Sequence, residues 1–97
     1  MAKSVFSLEY GTFRELLRDL RVQKGVTQAQ LSTALGMAQS FVSKYEMGER
    51  RLDFIEVERI CRELGSSLEA FAKAYTTALA TSKAAKRGKV KRSIKGE

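Results

Sequence analysis

Histidine and proline are absent from this 97-residue chain, and cysteine occurs once, at Cys61. Without histidine the chain lacks the commonest metal ligand and general base. A single thiol cannot form a disulfide framework or a cysteine-based zinc site within one chain. No glycine-rich phosphate loop and no nucleophile–base pair can be identified either. The sequence therefore predicts a protein that is not an enzyme and that has no cofactor and no metal site.

Long apolar runs are missing as well. No run approaches the roughly 20 residues that a membrane-spanning helix needs. The first ten residues lack the charged and then apolar layout of a secretory signal. Together with the single cysteine, these features predict a protein of the reducing cytoplasm.

The length corresponds to one domain, and the 43% hydrophobic content can fill one small core. A chain this short lies near the lower limit for an independent fold, so dimerisation would add stability. The formal charge of +7 is unevenly spread. Residues 83–97 hold seven basic side chains and one acid, whereas residues 1–82 hold 11 basic and 10 acidic residues. The last segment, which includes Gly88, is therefore predicted to be a disordered basic tail.

Signals for helix starts and helix ends alternate along the chain. A capping box places an acceptor side chain at the first cap and an acid or amide three residues later. Glycine is typical of the position just after a helix. The capping pairs are Thr12 with Glu15, Thr27 with Gln30, Asp53 with Glu56 and Ser66 with Glu69, and the glycines are Gly25, Gly36, Gly48 and Gly65.

Hydrophobic periodicity agrees with these signals and predicts five short helices in an all-α fold. They cover residues 12–24, 28–35, 39–47, 54–64 and 67 to about 85. Residues 12–82 then form the domain, residues 1–11 an N-terminal extension and residues 83–97 the tail. Residues 4–10 alternate like a short strand, but they could equally pack against the start of the first helix.

Residues 27–47 contain a short helix, a turn with Gly36 and a second short helix. Small Ala34 and Gly36 let the two helices approach at a steep angle, with Leu31 and Val42 packed between them. This layout sets the second helix where it can enter the major groove of DNA. Its outward residues are Gln39, Ser40, Ser43 and Lys44, which suit base edges and phosphates but equally suit an ordinary surface.

Residues 10–75 resemble the phage-repressor/Cro family of helix-turn-helix domains, also called the xenobiotic-response-element (XRE) family. The matching residues are Leu17-Arg18, Arg21, Gly25-Val26-Thr27-Gln28, Leu31, Gly36, Val42-Ser43, Glu46, Gly48, Arg50 and Leu64-Gly65. The resemblance implies a compact five-helix, lambda-repressor-like bundle. Similar domains often place a hydroxyl residue or proline beside the start of the third helix. This chain has Met37-Ala38 there, which predicts a weak cap.

The resemblance also implies roles for individual residues. Gln28 corresponds to a glutamine that binds a DNA phosphate, and Arg50 and Arg51 lie in a loop that flanks the groove. Arg21 and Glu46 correspond to a partly buried ion pair that joins the first helix to the third. The base-reading and neighbouring backbone-contact positions fall on Gln39, Ser40, Ser43 and Lys44.

The predicted function is sequence-specific binding of double-stranded DNA by a transcriptional regulator, a repressor at a palindromic operator. A homodimer is expected through helix 5 and the end of helix 4, because Phe71, Tyr75 and Leu79 continue the apolar face of helix 5. Alternatively, Tyr75 and Leu79 fold back on helix 1 or on residues 6–10, which would leave a monomer that pairs only on DNA. Two other functions stay open: the antitoxin half of a toxin–antitoxin pair, and nonspecific nucleic-acid binding through the basic tail.

Overall fold

The computed structural model describes the backbone of residues 7–95 and the side chains of residues 7–81. Within this part of the chain there are five helices and no strand. The predicted all-α, five-helix fold is confirmed. The helices are α1 (Leu8–Gln23), α2 (Gln28–Ala34), α3 (Phe41–Glu46), α4 (Phe54–Glu63) and α5 (Leu68–Lys95).

Two of the predicted capping boxes form, at the starts of α2 and α4. Thr27 Oγ1 accepts from the Gln30 amide at 3.0 Å, and the Gln30 side chain accepts from the Thr27 amide at 2.9 Å. Asp53 and Glu56 make the same reciprocal pair, at 2.8 and 2.9 Å. Each box satisfies two amide groups that have no partner inside the helix.

The other two predicted boxes are wrong in position. Helix α1 begins earlier than predicted because Ser7 caps it, accepting from the Tyr10 amide at 3.0 Å, so Thr12 lies inside the helix. At α5 the cap is Ser67, whose hydroxyl accepts from the Ala70 amide at 3.0 Å. The neighbouring Ser66 belongs to the end of α4 instead, since its amide donates to the Cys61 carbonyl at 2.8 Å.

All four glycines lie just after a helix with positive φ, between 72° and 85°, as predicted. Gly36 shows why this matters. Its amide donates to the Thr33 carbonyl and the Met37 amide to the Ser32 carbonyl, both at 2.9 Å, which closes α2 and turns the chain. A Cβ at Gly36 would meet no atom within 4 Å, so it is the φ of +72° that calls for glycine.

The core lies between the five helices. Tyr45 and Ile60 are fully buried within it, and so is Cys61. Burial raises the pKa of the Cys61 thiol to about 11, which disfavours the reactive thiolate and fits a packing role. The buried apolar residues are Leu17, Leu31, Leu35, Phe41, Val42, Tyr45, Val57, Ile60, Cys61, Leu64 and Phe71.

Helix α5 packs on α1 and α4, so part of its apolar face is used within the chain, and dimerisation through this helix stays a prediction. Phe71 is only 7% exposed, and its ring meets the ring of Phe13 edge-on at 5.9 Å. The Tyr75 hydroxyl donates to the Glu9 carbonyl at 3.4 Å. Both side chains therefore fold back within the chain, Phe71 on Phe13 and Tyr75 on the first turn of α1, which precedes the predicted start of this helix.

Helix α5 also continues to Lys95, beyond the predicted end near residue 85. Alanine, lysine and arginine, which dominate this stretch, have high helix propensity. A glycine inside a helix costs only about 1 kcal/mol, so Gly88 does not by itself end it. The division of the chain at residue 83 stays a prediction, and the side chains beyond residue 81 lie outside the described residues.

The position of the α5 cap gives a direct test. Replacement Ser67→Ala should lower the free energy of unfolding by about 1 kcal/mol, because the Ala70 amide loses its acceptor. Its neighbour Ser66 is the matched control, and Ser66→Ala should have the smaller effect in urea unfolding. A larger loss of stability in Ser66→Ala than in Ser67→Ala would place the cap at Ser66.

Candidate nucleic-acid interface

Helices α2 and α3 form the helix-turn-helix. Leu31 of α2, Leu35 just after it and Val42 of α3 are buried where the two helices meet. The fully buried Ser32 hydroxyl accepts from the Val42 amide at 3.1 Å, which fixes the start of α3 against α2. Serine is common on helix surfaces, so this bond could not be predicted from the sequence.

Helix α3 is shorter than predicted. It begins at Phe41, and Ser40 stands at its cap without a side-chain hydrogen bond. The absence of a strong cap, which Met37-Ala38 predicted, explains the later start. Gln39 and Ser40 consequently lie in the turn that leads into α3, whereas the prediction placed them on the helix.

The predicted base-reading residues nevertheless share the outward side of this unit. Gln39, Ser40 and Lys44 are exposed, and Ser43 is half-buried. The Ser43 hydroxyl donates to the Ser40 carbonyl at 3.1 Å. Its proton is used in this bond, whereas its oxygen can still accept a hydrogen bond. The opposite side of α3 consists of buried residues: Phe41, Val42 and Tyr45.

The end of α3 is held by an ion pair with α1, as the resemblance implied. Arg21 Nε donates to Glu46 Oε2 at 2.7 Å, and Arg21 Nη2 donates to Glu46 Oε1 at 3.0 Å. The two side chains are 10% and 4% exposed, respectively, so water screens the pair little. The hydrogen bonds to Glu46 raise the pKa of Arg21, which stays charged.

Two further groups converge on Glu46. Gln28, at the start of α2, donates from Nε2 to Glu46 Oε1 at 2.8 Å. Arg14 donates from Nη1 to the Glu46 carbonyl at 2.6 Å, at the end of α3 where carbonyls lack helical partners. Arg14 was not among the predicted site residues, although its spacing of two helical turns from Arg21 places both on one face of α1.

The two loop arginines after α3 occupy different settings. Arg50 forms a bidentate ion pair with the Glu56 carboxylate, with N–O distances of 3.1 and 2.9 Å. Its guanidinium also lies 4.8 Å from the centre of the Phe41 ring. This hydrogen bonding lowers the pKa of Glu56. Arg51 is exposed, and its guanidinium lies 4.6 Å from the centre of the Tyr10 ring. The sequence analysis missed the Arg50–Glu56 pair.

Comparison with known proteins identifies the family. A family model described as helix-turn-helix matches residues 17–71, more than half of the chain. The chain belongs to this helix-turn-helix family. The XRE-type resemblance is thus confirmed, and family membership supports the expected class of function, DNA binding in transcription regulation. Among curated proteins none matches the chain.

One solved structure extends the comparison beyond the helix-turn-helix itself. The fold is similar to the crystal structure of the clp gene regulator ClgR from Corynebacterium glutamicum, with a TM-score of 0.70 and 23% sequence identity. The alignment covers 91% of this chain and 90% of that one. The shared architecture therefore includes helices on both sides of the helix-turn-helix. Within the described residues, no helix is long and apolar enough to cross a membrane.

The buried carboxylate of Glu46 should be important for stability. Glu46→Gln keeps the shape of the side chain but removes the anion that neutralises Arg21. Breaking a buried pair in this way should lower the free energy of unfolding by about 3 kcal/mol.

The matched control is Glu58→Gln, which breaks the exposed ion pair with Arg62 in α4. This change should lower the free energy of unfolding much less than Glu46→Gln does, because solvent screens that pair. Urea unfolding of both variants measures the difference. Equal losses would contradict the role assigned to Glu46.

Proposed function

We propose that this chain regulates transcription by binding double-stranded DNA sequence-specifically, with the turn and α3 entering the major groove. The observation that carries the proposal is the two-sided character of α3. One side is fixed in the core by Phe41, Val42 and Tyr45, while Gln39 and Lys44 point outward beside it. The similar ClgR structure is titled as that of a gene regulator, which supports the same class of function.

The outward groups have the chemistry for reading bases. A glutamine such as Gln39 can both donate to and accept from adenine, and Lys44 can donate to the guanine acceptors or to a phosphate. Ser40 and Ser43 are short hydroxyl residues beside them that can contact either base edges or the backbone.

Phosphate contacts are proposed for Gln28, Arg50 and Arg51. One N–H of the Gln28 amide is bound to Glu46, which orients the second N–H for an acceptor such as a phosphate oxygen. Arg51 is the more accessible of the two arginines. Arg50 would have to share its guanidinium with Glu56, so its contribution should be smaller.

The finer proposal is a repressor that binds a palindromic operator as a homodimer. A single recognition helix covers only a few base pairs, too few to distinguish an operator among genomic sites. Two copies related by a twofold axis place two such helices one DNA turn apart and read inverted half-sites. Occupation of such a site near a promoter would block transcription.

The proposal predicts base-specific losses for two outward side chains. Gln39→Ala and Lys44→Ala should each weaken binding to a duplex selected from random DNA by about 1–3 kcal/mol, while affinity for random duplex changes little. The fold should be unaffected, because both side chains are exposed. Fluorescence anisotropy with both duplexes measures the effects.

Lys73→Ala is the charge-matched control for Lys44→Ala, since Lys73 is an exposed lysine on α5, which packs on α1 and α4. It should leave the preference for the selected duplex unchanged. Equal loss of affinity for both duplexes in the Lys44→Ala and Gln39→Ala variants would show that these residues bind only phosphate. No selected sequence at all would contradict the proposed function.

The basic segment should supply affinity without sequence preference. Removing residues 83–97 deletes seven cations, and each lost phosphate contact should reduce the slope of log affinity against log salt by about 0.9. Sequence preference should stay nearly the same. A full-length variant with these seven residues changed to glutamine separates charge from chain length, and an unchanged salt slope in it would refute the role of the tail in DNA binding.

A further inference from the structure

Glu56 binds Arg50 in the way that a DNA phosphate binds an arginine. The Nη1 and Nη2 groups of Arg50 donate to the two carboxylate oxygens of Glu56, at 3.1 and 2.9 Å. A guanidinium matches a carboxylate and a phosphate with the same bidentate geometry. Glu56 therefore occupies the donors that a phosphate would use.

The guanidinium of Arg50 is also fixed beside the start of α3. It lies 4.8 Å from the centre of the Phe41 ring, and Phe41 is the first residue of α3. Its Nη1 donates in addition to the Arg51 carbonyl at 2.8 Å. Since Phe41 directly follows Gln39 and Ser40, the charge of Arg50 acts on a duplex that these two residues contact.

The Glu56 carboxylate has a second cation near it. Hydrogen bonds from Arg50 are the main cause of its lowered pKa, and the charge of Arg59, one helical turn along α4, acts in the same direction. The two paired side chains, Arg50 and Glu56, are 39% and 19% exposed. Arg50 can therefore leave Glu56 for another anion without opening the core, and Arg59 still compensates the carboxylate.

We propose that Glu56 competes with DNA phosphates for Arg50 and thereby lowers the sequence-independent affinity of this chain for DNA. The inference rests on the proposed function, because it requires DNA beside α3. A surface ion pair of this kind corresponds to about two- to fivefold in an equilibrium constant. The bidentate geometry and the contact with Phe41 place the Arg50–Glu56 pair at the upper end of this range.

Glu56→Gln tests the competition, because it removes the charge and keeps the local structure. Glu56 Oε1 accepts from the Asp53 amide at 2.9 Å in the capping box of α4. Gln30 makes the same bond to the Thr27 amide at the start of α2, so a glutamine can fill this role. Thermal unfolding of the variant checks that the fold is kept.

The measurement is fluorescence anisotropy of the full chain with a random-sequence duplex. Glu56→Gln should raise the affinity about fivefold at low salt, because Arg50 no longer has to leave a carboxylate. The slope of log affinity against log salt should steepen by about 0.9, the value for one added phosphate contact. The control Glu58→Gln changes the charge equally on the same helix and releases only Arg62. It should alter the affinity less than about twofold.

A double-variant cycle shows whether the gain passes through Arg50. In an Arg50→Gln background, Glu56→Gln should change the affinity less than about twofold, because no guanidinium remains to be released. An equal gain with and without Arg50, or an equal gain in Glu58→Gln, would indicate a general charge effect and overturn the inference.

The remaining outcomes separate this inference from the proposed function. Unchanged or weaker binding by Glu56→Gln would mean that the pair only joins the loop to α4, which overturns the inference while the proposed function stands. If the original chain selects no DNA sequence, sequence-specific binding fails. The affinities for random duplex still decide whether Glu56 competes for Arg50.

Discussion

The carboxylate of Glu46 is the group on which the placement of α3 depends. It accepts from Arg21 of α1 and Gln28 of α2, and the carbonyl of the same residue accepts from Arg14. Helix α3 has only six residues, too few to be stable by itself in water. Its orientation therefore comes from tertiary contacts, of which this buried ionic group and the Ser32–Val42 bond are the most directional.

The same group joins stability to function. One N–H of Gln28 is used to bind Glu46, and its second N–H is the one proposed to donate to a phosphate. A phosphate contact at α2 and base contacts at α3 would therefore be held in a fixed position relative to each other. Sequence-specific binding requires such fixed positions, because a bidentate contact with a base tolerates little displacement.

Local features could be predicted from the sequence because their chemistry acts over a few residues. The glycine-terminated helix ends and the boxes at Thr27 and Asp53 belong to this group. The prediction failed where two acceptors compete, as between Ser66 and Ser67. The burial of Phe71 against α1 joins residues far apart in the chain and leaves no local pattern, so it appears only in the structure. The distant Arg21–Glu46 pair was expected only because of the family resemblance. The Arg50–Glu56 pair spans six residues across a loop, where helical spacing gives no guide.

Mapping of backbone amide resonances during titration with the selected duplex tests the central claim most directly. The account predicts that the largest shifts occur at Gln28 and residues 39–44, with little change at Lys73 on α5. The result that would contradict it is a set of shifts confined to residues 83–97, since DNA would then bind the basic segment and leave the helix-turn-helix unused.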